Sequence, residues 1–155
     1  MRMKNNYEIV YYPLEVEKEI SFMLYNYENI EDLINSRKEE LIDKMNVTSS
    51  AWLRSKNIGS NTLEDIVIKL QNDKKLKRLK KWQIFLDKYV KGLKEYDIPI
   101  YYNFVDMKYF KKYDKKEIMN KLELNNDSYE GLKIRIIWVV YYYAVKEKLY
   151  KEMKT

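Results

Sequence analysis

Two stretches of this chain gather side chains that could do chemistry together. Lys74-Lys75-Leu76-Lys77-Arg78-Leu79-Lys80-Lys81 sets six positive charges within eight residues. Further on, Asn125, Asn126, Asp127 and Ser128 lead into Glu130, Lys133 and Arg135, with Lys115 and Lys116 shortly before them. The first set suits a polyanion. Ammonium groups are point charges that meet phosphates and displace counterions, without the forked geometry that reads guanine. A solvated helix face is the plain alternative for the same run. The second set carries groups that can meet base edges. An Asn amide pairs with adenine, a carboxylate accepts from cytosine, and Lys or Arg holds phosphate or guanine.

Other chemistries are poorly provided for. The chain has no Cys and no His, which removes disulfides, thiolate nucleophiles, imidazole acid–base work and the usual zinc ligands. Three Gly residues are too few for a Gly-rich phosphate loop. The carboxylates alternate with Lys as on solvated helices, without the spacing of a catalytic pair. No enzyme activity, cofactor or metal is expected.

These groups need elements to hold them, and the hydrophobic pattern supplies helices. With 46% hydrophobic residues the chain can bury a core despite its charge. Glu15 to Met45 reads as one long helix, because Val16, Ile20, Met23, Tyr27, Ile30, Ile34, Leu41 and Met45 keep a mostly three-four spacing. Asn46 to Asn61 reads as a long connection, with Trp52 and Leu53 pinning it to the core. A second long helix starts near Asn61, capped there and by Glu64, and carries Leu63, Ile66, Leu70, Leu79, Trp82, Leu86, Tyr89 and Leu93 on one face. Two such helices joined by one loop pack most simply as an antiparallel hairpin.

Pro99 opens a third helix. Asp114 to Glu117 forms a capping box for a short helix through Leu122, and Asn125 to Ser128 offers caps for a last helix to about Lys151. The expected class is all-α. Residues 1–95 form the long-helix hairpin and 96–155 a second lobe, divided near Tyr96.

Charge divides the chain as well. Residues 1–53 carry a net −4, 54–94 a net +8 and 101–155 a net +4 within an overall +6. That asymmetry fits a polyanion-binding portion joined to an acidic portion with another task.

The segment from Glu117 to Tyr129 reads as helix, tight turn, helix. Ile118, Met119, Leu122, Leu124, Tyr129, Leu132 and Ile136 are the residues that would meet where the two helices cross. Asn126, Asp127, Glu130, Lys133 and Arg135 are left facing outward, as on the helix that enters the major groove in a helix-turn-helix. Glu123 stands at the turn position usually held by Gly, which Glu fills readily only where the backbone is not left-handed.

Three stretches carry a resemblance: Asn61-Thr-Leu-Glu-Asp-Ile-Val-Ile-Lys-Leu70, Asp106-Met-Lys-Tyr-Phe-Lys-Lys-Tyr113, and Ser128-Tyr-Glu-Gly-Leu-Lys-Ile-Arg-Ile-Ile137 with Ala144 beyond it. Their layout resembles the phage late-gene transcriptional regulators of the ArpU/RinA/late-transcriptional-regulator superfamily, over roughly residues 48–150. The resemblance implies a three-helix, sigma-like helix-turn-helix lobe at 96–155. It also implies sequence-specific binding of double-stranded DNA, and activation of packaging and lysis genes with host RNA polymerase as a partner.

Two other classes stay open at this point. A helical adaptor or structural protein would bind protein partners only. A single-strand binder would use Tyr11-Tyr12, Tyr101-Tyr102 and Tyr141-Tyr142-Tyr143 to stack bases. Consecutive helical residues point in different directions, so core and interface packing is the expected role of those tyrosines. The N-terminal helix could serve as a coiled-coil arm of a homodimer or pack within its own chain. No signal peptide is visible, and the most apolar segment, Ile134 to Val145, is interrupted by Arg135 and is shorter than the roughly 20 residues of a membrane span. A cytoplasmic location in a bacterial host and no membrane partner are expected.

Overall fold

The computed structural model describes residues 12–45 and 63–151 in full and 46–56 as backbone. Those residues form an all-helical protein with seven α-helices: α1 Leu14–Tyr25, α2 Ile30–Lys56, α3 Leu63–Asn72, α4 Lys74–Glu95, α5 Pro99–Val105, α6 Lys115–Lys121 and α7 Asn126–Lys146. A π-helical turn, Asp106–Phe110, continues α5.

Local chemistry places the boundaries. Pro99 stands in the first turn of α5, where its missing N–H is no loss. The expected single helix over residues 15–45 is interrupted. Asn26 ends α1 by donating its side-chain amide to the Phe22 carbonyl (2.8 Å), and a 3-10 turn at Tyr27–Asn29 leads into α2. An Asn amide competes with the helical ladder for the same carbonyls.

The expected second long helix is also divided. Asp73 ends α3 and restarts the chain as α4, its carboxylate accepting from the Leu76 amide (2.9 Å). The expected connection over 46–61 is helical as far as Lys56, because α2 runs on through Thr48-Ser49-Ser50. Asn61, the expected cap of the second long helix, and Tyr11 lie outside the described residues, as do the side chains of Trp52 and Leu53. The last helix ends at Lys146 rather than near Lys151.

Two compact units result. One is built from the described residues up to Glu28 and from Ile84 onward, the other from the described residues between Asn29 and Gln83. The division therefore falls inside α4 and after α1, at positions other than the 95/96 boundary read from the sequence. In the first unit α1 packs on α7 and on the π turn, and α5 packs on α7. Its core contains Ile20 and Leu24 from α1, Phe104 and Val105 from α5, Tyr109, Ile118, and Ile137, Val140 and Ala144 from α7, all 1% exposed or less. Each such large apolar side chain contributes about 1.5–3 kcal/mol on burial.

In the second unit α2 packs on α3. Ile30, Ile34, Leu41, Leu76 and Trp82 are buried. Polar ties join distant residues there: Gln83 donates to Glu31 (2.8 Å), and Arg37 donates through two nitrogens to Asp73 (2.8 and 2.9 Å).

Candidate functional site

The corner between α6 and α7 is built from backbone caps. Asp114 accepts from the Glu117 amide (2.8 Å) and starts α6. At the other end Leu124 N–H donates to the Met119 carbonyl (2.8 Å) and Glu123 N–H to that of Asn120 (3.4 Å). That bond pair closes the helix around a left-handed residue. The residue is Glu123, with φ 55°. The turn thus has the left-handed backbone of a position that favours Gly, and Glu fills it under strain. Asn125 then accepts from the Ser128 amide (2.8 Å) and starts α7.

Beneath the corner, Ile118, Tyr129 and Ile136 are buried, while Met119, Leu122, Leu124 and Leu132 are half-buried. Tyr129 is 3% exposed and its ring lies 5.2 Å from that of Phe104. Its hydroxyl accepts from Lys108 (3.1 Å). The Lys108 ammonium also stands 5.7 Å from the Tyr25 ring centre and 5.4 Å from that of Tyr109. This aromatic cage was not legible in the sequence, since its members lie on α1, the π turn and α7 and share no local pattern.

On the outer side, four of the expected site residues come together. Lys115 donates to the Asn126 side-chain oxygen (2.6 Å) and to Glu130 (2.9 Å), and Lys133 reaches the other Glu130 oxygen at 3.0 Å. Lys115, and after it Lys133, hold the Glu130 carboxyl below the usual carboxylate range. Lys115 also stands 5.1 Å from the centre of the Tyr129 ring. The polar face at the start of α7 is thus a closed network of two cations, one carboxylate and one amide.

The other expected residues are placed separately. Asn125 and the amide of Ser128 are engaged in the cap. Asp127 and Lys116 are exposed, with no side-chain partner among the described residues. Arg135 is exposed and donates to the Tyr101 hydroxyl (2.7 Å). Lys77, Arg78 and Lys81 belong to the second unit. Lys77 and Lys81 are exposed and, among the described residues, without an ion-pair partner, as are Lys74, Lys75 and Lys80; Arg78 is half-buried.

The tyrosine pairs are divided. Tyr141 is buried and packs near Tyr12 and Tyr150 (ring centres 6.0 and 5.7 Å), whereas Tyr142 and Tyr143 are exposed. Among the described residues no group of three Asp or Glu side chains could hold a metal ion. No described helix is long and apolar enough to cross a membrane. Comparisons with protein-family models, with curated proteins and with solved structures found no match.

Proposed function

We propose that this chain is a duplex-DNA-binding transcriptional regulator that presents the N-terminal turns of α7 to the major groove. The observation that carries this reading is the α6–α7 corner. A short capped helix, a turn with left-handed Glu123 and a longer helix leave Asn126 and Asp127 exposed above buried Tyr129. An α-helix fits the major groove, and its first turns meet base edges there. Lys116 supplies a phosphate contact that positions without specifying, and the exposed lysines of Lys74–Lys81, in the other unit, are a separate set of phosphate-binding groups.

The finer reading rests on the resemblance to phage late-gene regulators. It is a sequence-specific activator of phage or prophage packaging and lysis genes, with a sigma-like helix-turn-helix and host RNA polymerase as partner.

Binding-site selection from a randomised duplex pool tests the reading. The wild-type chain should enrich one motif, and Asn126→Ala with Asp127→Ala should change preference at its contacted bases by about 1–3 kcal/mol. Selection of the same motif by both proteins would move base reading away from α7. Enrichment only of single strands would instead favour stacking on exposed tyrosines.

A further inference from the structure

Gly131 stands in the second turn of α7, inside the helix rather than at its end. Glycine is a poor helix former, because it has the most backbone freedom to lose and no side chain to pack. Its use is close approach, where another group must lie against the backbone. Among the described residues nothing occupies that space. A Cβ built at Gly131 would meet nothing within 4 Å beyond its own helix, and the residue is exposed.

The residues around Gly131 show which group the space would admit. Helical spacing sets Asp127 and Ser128 one turn before it and Arg135 one turn after it, on the same face. All three are exposed. Asn126, Glu130 and Lys133 lie round the helix from it, in the network that Lys115 closes. Asp127 and Ser128 are short side chains, with their polar atoms one or two bonds beyond Cβ. They meet a base edge only when the backbone itself comes close. A methyl at position 131 would project about 1.5 Å from Cα and stand between them and the duplex.

We infer that Gly131 is a specificity-determining residue. Its bare backbone seats α7 in the major groove deeply enough for Asp127 and Ser128 to reach base edges. The inference rests on the duplex-DNA reading and names the face of α7 that enters the groove. Phosphate contacts from long lysine side chains position the protein without that depth.

The test uses two labelled duplexes. One carries the motif that the wild-type chain enriches from a randomised pool, and the other is a scrambled duplex of the same base composition. Gly131→Ala should melt above wild type by circular dichroism, because Ala is the better helix former. It should nonetheless bind the enriched duplex on the order of tenfold more weakly, the loss of about one base contact. Affinity for the scrambled duplex should hold. Gly131→Leu, with a larger side chain, should lose more. Gly92→Ala is the matched control, since Gly92 is also helical, exposed and open but lies in α4. It should melt higher and bind both duplexes as wild type does.

Gly131→Ala that binds the enriched duplex as tightly as wild type would overturn the inference and leave the duplex reading standing. So would an equal loss on both duplexes, which would make position 131 a contact without specificity. A lowered melting temperature would overturn it as well, by showing that the chain itself needs the space. A wild-type chain that enriches no duplex motif would overturn the reading, and this inference with it.

Discussion

Asp73 stands between α3 and α4, where its carboxylate accepts from the Leu76 amide and from Arg37 through two nitrogens. The Arg37 guanidinium is the larger influence and holds the Asp73 carboxyl at about 2, against an ordinary 3.8. A carboxyl held low in the folded state stabilises the fold fully above its unfolded pKa and loses that contribution as pH falls through the folded one. Thermal stability should therefore drop as pH falls from about 4 toward 2, and Asp73→Asn, which can still cap, should flatten that part of the profile. An unchanged slope in Asp73→Asn would show that the pair is not linked to folding. Glu123 makes a second prediction at this scale. An L residue held at φ 55° gives up free energy that Gly would not, so Glu123→Gly should raise stability by about 0.5–1 kcal/mol in a denaturant melt. A loss of stability would mean that the Glu side chain makes a compensating contact.

Among the elements, the starts of α6 and α7 were the most legible in the sequence. Asp114 with Glu117 and Asn125 with Ser128 form their bonds across three residues, so the capping pattern alone marks where α6 and α7 begin. The interruptions at Asn26 and Asp73 were not legible, because a polar residue inside a periodic pattern reads equally well as a solvated position. Only the Arg37 partner, thirty-six residues away, singles out Asp73. The extension of α2 to Lys56 was hidden for a related reason. Ser and Thr have low helix propensity, but each such residue costs only a few tenths of a kcal/mol, which context overrides. At the site, the outward set on α7 could be read from helical spacing, while the bonds from Lys115 to Asn126 and Glu130 join two helices and left no mark in either. That network makes its own prediction. Glu130→Gln removes a negative charge, releases Lys133 and leaves Lys115 held by Asn126 alone, so affinity should rise about equally for all duplex sequences. The plot of log affinity against log salt should steepen by about one unit for each lysine that turns to a phosphate. Weaker binding or a changed sequence preference would instead make Glu130 a base-reading group.

For the whole molecule, one compact unit carries the polar face on α7, and the other, by itself, carries the lysines at the start of α4. Net charge by segment could be counted from the sequence. The units themselves could not, since the first is assembled from both ends of the chain around α1 and α7. The proposed activity is duplex-DNA binding, and its most direct measurement is duplex affinity as a function of salt. Fluorescence anisotropy with a labelled duplex should give a log–log line whose slope counts phosphate contacts at about 0.9 per contact. Replacing Lys77, Arg78 and Lys81 with Gln should flatten it by two to three units if those side chains meet phosphates, at about one unit each. Absence of duplex binding even at about 50 mM salt, where such contacts are strongest, would contradict the account.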